Sequence, residues 1–282
     1  MALIKNRRRH RMTISGKDYW SDKTASYLSA IEGPYHANRL QMVEALLSEL
    51  SLAGKNCLDF GCGDGVFVER LLEDGATVSG VDVDSAMIHA AQSRLLGRWK
   101  DTKLACGGVE HLSELPGNSF DCLFALNVLA YLNPKEEATF YQQAQRLLRE
   151  GGALVVTHSN ELFDMFTLNR YTANFFGKHF SIAAEECNVR DLLVHPDVPD
   201  RYVFGVRENP LAYRYKLKSY GFSETRQEFA ILHSLPPLLT PSIDFDDIDS
   251  RKYPETVGWP EAQRWKLMFM CSVFGSISSR KN

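Results

Sequence analysis

The chain has 282 residues, 44% of them hydrophobic, which is enough for one large domain with insertions or for two small domains. Its formal net charge of -3 argues against a general nucleic-acid-binding protein. The cysteines show no C-x-x-C spacing, which indicates free thiols in a reducing compartment. No apolar run reaches membrane-spanning length and the N-terminus lacks the apolar core of a signal peptide, so we expect a cytoplasmic protein with no membrane segment.

Residues 1–50 are predicted to form an N-terminal arm followed by helices. The arm carries a basic run at residues 7–11, which we interpret as a solvated tail rather than an RNA contact because the remainder of the chain is acidic. Residues 18–49 are predicted to be helical, since apolar side chains recur at helical spacing between residues 40 and 50. Aromatic and polar side chains in this segment, including Tyr19, Tyr35 and Arg39, serve either a ligand or ordinary helix packing.

Residues 56–73 show the pattern of a strand, a glycine turn and a helix. Glycines at positions 61, 63 and 65 can adopt positive φ and let a ligand approach the backbone, and the following helix offers free N–H groups. A dinucleotide fingerprint would require its third glycine at position 66, which is Val66. Instead, a carboxylate, Asp59, precedes the first glycine.

The pattern Asp59-x-Gly61-x-Gly63-x-Gly65 resembles motif I of the class I S-adenosylmethionine (SAM) methyltransferases. A second predicted strand ends at Asp82, about 20 residues after the turn, which is the spacing of a ribose-hydroxyl acceptor. The resemblance implies SAM as the cofactor, with its amino-acid end at the glycine turn and its ribose at the end of the second strand. The cofactor-binding residues implied here are Asp59, Gly61, Cys62, Gly63, Gly65, Asp82 and Val83.

Strand and helix signals continue to alternate as far as residue 160, with further strands predicted at 102–106, 120–126 and 153–157. In this class many members have, at the position of Gly108, an acid that reaches the adenine amino group. Because this chain has glycine there, we expect the adenine to be held by the backbone near Gly108 and Val109, or by Glu110. Asn127 follows the fourth strand in a stretch that resembles motif IV of the same class. With Tyr19 and Arg39 of the N-terminal segment, it completes the cofactor-binding residues that the resemblance implies. Because nearly unbroken apolar strands indicate a parallel sheet, these residues should meet at one edge.

The predicted fold is α/β: a Rossmann-like, doubly wound, seven-stranded sheet, mostly parallel, with N-terminal helices and a helical lid. We divide the chain into residues 1–50, a SAM-binding core at 51–160, an aromatic-rich lid insertion at 161–205, and the rest of the sheet with a substrate-side loop at 206–282. The last strand is predicted at residues 268–276, and the resemblance implies that it is antiparallel and lies between the fifth and sixth strands. The acidic residues at 244–249 are predicted to form a solvated loop, and no metal is expected.

The resemblance also implies methyl transfer from SAM, and our first hypothesis is a small-molecule acceptor with an oxygen nucleophile, enclosed by the lid. His158, predicted to follow the fifth strand, is the first candidate base, although a supporting polar role fits it equally. Tyr131 and His36 are the reserve candidate bases. Arg39 is a candidate contact to the cofactor. An RNA or protein methyltransferase and a non-catalytic SAM-binding regulatory module are the alternatives. Nucleic acid is an unexpected partner, and the oligomeric state is left open.

Overall fold

The computed structural model describes residues 34–48, 50–167, 207–232 and 260–281. Within these ranges the chain forms one mixed sheet in the order β3-β2-β1-β4-β5-β8-β7, and a short β6 pairs with the end of β5. The strands are β1 (Asn56–Phe60), β2 (Thr77–Asp82), β3 (Lys103–Cys106), β4 (Phe120–Ala125), β5 (Leu148–Asn160), β6 (Arg207–Glu208), β7 (Phe222–Leu232) and β8 (Cys271–Arg280).

The pairing of the strands confirms the predicted fold. Strands β1 to β5 pair in parallel, whereas β8 is antiparallel to both β5 and β7 and lies between them. The two-residue β6 was not predicted. The last strand was predicted to begin at residue 268, but Leu267–Met270 form a helical turn and β8 begins at Cys271.

Helices cover both faces of the sheet. They are α1 (Pro34–Leu47), α2 (Val66–Glu73), α3 (Ser85–Leu95), α4 (Pro134–Leu147), α5 (Glu161–Thr167), α6 (Tyr213–Ser219), α7 (Glu261–Arg264) and α8 (Leu267–Met270). Successive residues of a strand pack in different hydrophobic clusters on the two faces of the sheet. In β1, Leu58 packs with α4 and α6, and Cys57 packs with α1, α2 and α3. This alternation is the period of two expected of strands buried on both faces.

The helix α4 begins at a capping box. The Asn133 side chain accepts hydrogen bonds from the N–H groups of Lys135 and Glu136, and the Glu136 carboxylate accepts one from the Asn133 N–H. Pro134 occupies the first helical turn, where its missing N–H costs nothing. The capping box fixes the start of α4 beside the carboxyl edge of the sheet, close to the end of β4.

Several predicted features lie outside the described residues. They are the basic arm, Tyr19, the acidic loop at 244–249 and all of the predicted lid apart from α5. The division of the chain into four units therefore stays a prediction. Among the described helices, none is long and apolar enough to cross a membrane.

Candidate SAM and acceptor site

A cavity of about 330 Å³ opens at the carboxyl ends of β1, β2 and β4. This is the edge at which parallel α/β sheets bind ligands. The structure brings together at this cavity most of the residues predicted for the site: Gly61, Gly63, Asp82, Val83, Gly108, Val109, Glu110, Asn127 and Tyr131.

The glycine turn between β1 and α2 depends on two different requirements at Gly61 and Gly63. Both residues have left-handed backbones, with φ of 81° and 54°. A Cβ at Gly61 would lie 2.1 Å from the Val128 Cγ2 atom, so the protein itself fills the space above this residue. A Cβ at Gly63 would meet no atom within 4 Å, so its open side leads toward the cavity. Gly63 is therefore the glycine whose missing side chain leaves room for a ligand.

Asp82 joins the glycine turn to the start of α3. Its Oδ2 atom accepts a hydrogen bond from the Gly63 N–H at 2.8 Å, and its Oδ1 atom accepts one from the Asp84 N–H at 2.9 Å. Burial raises the pKa of Asp82, and these backbone donors oppose that shift. Because a carboxylate offers about four acceptor positions, two donors leave capacity for ligand hydroxyl groups.

Glu110 compensates for the absence of an acid at Gly108. Its Oε1 atom accepts a hydrogen bond from the Gly108 N–H at 2.9 Å. A Cβ at Gly108 would lie 2.7 Å from the Glu110 Oε2 atom, so the carboxylate occupies the space of a side chain at position 108. The acid is thus present at this part of the cavity, but it comes from a residue two positions later.

Asp59 lies in β1, behind the cavity, and its side chain is only 2% exposed. Burial and, to a smaller extent, the charge of Asp82 raise its pKa to about 8. The related predicted residues Cys62 and Gly65 also lie outside the cavity lining, and Gly65 packs against Ala91 of α3. These residues shape the turn from behind.

We expect the Asp59→Asn variant to be more stable than the wild type, increasingly so from about pH 4 to about pH 8. In this range the unfolded carboxyl is ionised while the folded one keeps its proton, so the wild type loses stability as pH rises. The difference should reach a few kcal/mol above about pH 8, and then stay constant. Urea unfolding at several pH values measures it; a pH-independent difference would contradict the raised pKa.

His158 does not follow the fifth strand, as predicted, but lies within β5 opposite Phe274 of β8. Its side chain is 2% exposed, and its ring stands 4.6 Å from the Tyr213 ring and 5.2 Å from the Phe274 ring, between centroids. Within the described ranges neither ring nitrogen has a hydrogen-bond partner. The predicted position is therefore wrong, and the cavity lining does not include His158. Its role as a base stays a prediction that this geometry does not favour.

The His158→Phe variant is expected to resist acid better than the wild type. Burial, with a smaller effect of Lys216, holds the His158 pKa well below 6.5, so below that pH the unfolded chain binds a proton that the folded chain does not. Stability is thus lost as pH falls. Between about pH 7 and pH 5 the wild type should lose roughly 1–2 kcal/mol more free energy of unfolding than the variant. If His158 were the base, the variant would instead lose methyl transfer about a hundredfold.

The other predicted site residues are distributed as follows. Tyr131 lines the cavity from the 3-10 helix Leu129–Tyr131. Arg39 lies on α1, which packs against β7 and β8, and it is not part of the described cavity lining. His36 is in the first turn of α1, but its side chain lies outside the described residues. Of the two candidate bases whose side chains the structure describes, His158 and Tyr131, Tyr131 is thus the one at the cavity.

The sequence interpretation missed several lining residues. Glu136, which forms part of the capping box of α4, also lines the cavity. Leu126, Val128 and Leu132 form an apolar part of the wall, and Met87 adds another contact from α3. Their positions directly after β4, at the carboxyl edge of the sheet, were the signal that could have identified the first three.

The sheet has the strand order of the class I SAM-dependent methyltransferase fold, with an antiparallel last strand. A glycine turn after β1 and an acid at the end of β2 agree with this fold. Residues 58–156 match the family model described as a methyltransferase domain. These residues, which form the core of the sheet, are therefore a methyltransferase domain.

Curated and solved relatives agree with this assignment. The ubiquinone biosynthesis O-methyltransferase of Pseudomonas entomophila (strain L48) is 25% identical over 209 residues, which cover 71% of this chain and 86% of that protein. Magnesium protoporphyrin IX methyltransferase from Synechocystis PCC 6803, with bound S-adenosylhomocysteine (SAH), shares the fold with a TM-score of 0.58 at 16% identity, covering 94% and 98% of the two chains. A SAM-dependent methyltransferase from Archaeoglobus fulgidus has a TM-score of 0.54 at 16% identity, covering 90% and 99%.

Proposed function

We propose that this protein methylates a hydroxyl group of a small, largely apolar molecule. The observation that carries the proposal is that the cavity wall has a polar part and an apolar part. Carboxylates and glycines line one part, whereas Leu126, Val128 and Leu132 line another beside Tyr131. A concave, mostly apolar wall with a few polar groups suits a small molecule better than a polymer. The relatives named as O-methyltransferases support oxygen as the acceptor atom.

The residues present fit SAM. The open side of Gly63 leaves space for the amino-acid end, and the free acceptor capacity of Asp82 suits two ribose hydroxyls. Glu110, folded over Gly108, would accept from the adenine amino group. When bound, SAM supplies a methyl group on a sulfonium, which is a good leaving group.

The chain's own contribution is then alignment of the acceptor and removal of its proton. Tyr131 is the candidate base whose side chain lines the cavity, so we assign it the contact with the acceptor hydroxyl. The RNA or protein alternative depended on the basic arm, which lies outside the described residues.

A labelling experiment tests the proposal. The purified chain is incubated with methyl-labelled SAM and, separately, with catechol, a simple phenol, a primary amine, bulk RNA and bulk protein. We expect label in catechol or the phenol, and mass spectrometry of the product should locate the methyl group on oxygen. Label confined to the amine would correct the acceptor atom, and label in RNA or protein would overturn the proposal.

The Glu110→Ala variant should bind SAH about tenfold more weakly, because it loses a charge-assisted acceptor at the adenine. Since the carboxylate fills the space of a side chain at position 108, the double variant Gly108→Asp/Glu110→Ala should recover part of this loss. Glu114→Ala is the control, since this carboxylate is exposed and pairs with His111. Calorimetry measures all three; equal affinity of Glu110→Ala and wild type would remove Glu110 from the site.

A further inference from the structure

Asn127 holds a strained backbone at the wall of the cavity. Its φ of 61° is left-handed, a conformation that residues other than glycine rarely adopt. Asparagine tolerates it better than most residues, but it still needs local support. Such a backbone at a ligand cavity persists only where neighbouring groups hold it.

The support comes from Thr157 of β5. The parallel pairing of β4 with β5 ends at Ala125 opposite Val156, so beyond this pair the backbone of β4 leaves the ladder. There the Asn127 N–H donates a hydrogen bond to the Thr157 Oγ1 atom at 2.7 Å. The Thr157 side chain is 5% exposed, so few water molecules could replace it. A side-chain hydroxyl thus takes the place of the backbone acceptor that the ladder no longer supplies.

The conformation of Asn127 also determines where the next residue packs. Val128 fills the space directly above Gly61, where an added Cβ would lie 2.1 Å from the Val128 Cγ2 atom. Both Val128 and Gly61 line the cavity. A continuous set of contacts therefore runs from the Thr157 hydroxyl through the turn at Asn127 to the glycine turn.

We infer that Thr157 is a positioning residue for methyl transfer: its hydroxyl fixes the turn at Asn127 and so aligns the acceptor side of the cavity with the glycine turn. The inference rests on the proposed function for its catalytic consequence. Thr157 does not line the cavity, and it acts through Asn127. Asp82, Gly63 and Glu110, which we assign to the cofactor, are outside this set of contacts.

Two substitutions at Thr157 separate the hydroxyl from the shape of the side chain. Thr157→Val keeps the shape but removes the acceptor, whereas Thr157→Ser keeps the acceptor. With catechol as the probe, kcat should fall about tenfold or more in Thr157→Val and stay within about threefold of wild type in Thr157→Ser. SAH affinity should change less than about threefold in both variants. Equal loss of kcat in the two variants, or none in Thr157→Val, would overturn the inference.

A double-mutant cycle tests the strained backbone. Glycine adopts positive φ without support, so in an Asn127→Gly background the Thr157→Val change should alter kcat less than about twofold. Full additivity of the two changes would show that Thr157 acts elsewhere. This outcome would also overturn the inference.

A measurement that needs no methyl acceptor separates the role of Thr157 from the proposed function. Hydrogen exchange at the Asn127 amide, followed by NMR, should be about tenfold or more faster in Thr157→Val than in the wild type, and within about threefold of the wild type in Thr157→Ser, because only the valine removes the acceptor of this N–H. If wild type transfers no methyl group to catechol, the proposed function fails while this measurement still decides the role of Thr157. Equal exchange rates at the Asn127 amide in the wild type and in Thr157→Val would overturn the inference.

Discussion

The Gly63→Val variant is expected to lose SAM binding by at least about a thousandfold while the sheet remains folded. A side chain at this position meets no protein atom within 4 Å, so it projects into open space at the cavity. We propose that the amino-acid end of SAM lies there, and the valine would displace it. The left-handed backbone at Gly63, with φ of 54°, adds strain of about 1–3 kcal/mol.

Gly54→Val is the matched control for that strain. Gly54 also has a left-handed backbone, with φ of 73°, and a Cβ there would meet no atom within 4 Å. It lies in an exposed loop before β1 and does not line the cavity. Both variants should lose similar stability in thermal unfolding, but in calorimetry Gly54→Val should bind SAM like the wild type. Normal SAM binding by Gly63→Val would disprove the assignment of the glycine turn.

The parts of the site that could be predicted are those whose chemistry is local in sequence. Positive φ at Gly61 and Gly63 requires glycine, so the turn is visible in the residues themselves. Asp82 ends an apolar strand at the spacing set by one strand–helix–strand unit. The order of the parallel strands follows from the alternation of strands and helices.

The parts that could not be predicted depend on contacts between distant segments. His158 follows an apolar run and so suggests the end of a strand, but Tyr213 and Phe274 cover its ring and β5 continues to Asn160. Residues 267–270 are uniformly apolar, a pattern that does not distinguish a helical turn from a strand. Tertiary packing decided both cases.

Two features of the site can be seen only in the atomic positions and not in the sequence. That Glu110 folds back over Gly108 is a matter of rotamer and turn geometry, which the sequence Gly107-Gly108-Val109-Glu110 leaves open. The hydrogen bond between Asn127 and Thr157 depends on the register of β4 against β5. Sequence alone identifies the members of such pairs only after the register is known.

The Asp82→Ala variant is expected to lose about 2–4 kcal/mol of SAM binding free energy, roughly 30- to 1000-fold in affinity. The carboxylate that we assign to the ribose is lost, and the N–H groups of Gly63 and Asp84 lose their acceptor. Asp84→Ala is the control, because it removes the N-cap bond to the Ala86 N–H at the start of α3. That change should cost about 1 kcal/mol of stability, and calorimetry should find little change in SAM affinity.

An SAH analogue without the ribose hydroxyls separates the two roles of Asp82. If Asp82 accepts from those hydroxyls, the wild type should bind the analogue weakly, and Asp82→Ala should bind it almost as well as the wild type does. If Asp82 acts only by holding the Gly63 N–H, the variant should lose the same factor for the analogue as for SAH, because the glycine turn is disturbed in both complexes. The second result would move the ribose site away from Asp82 and leave the carboxylate as a support of the turn.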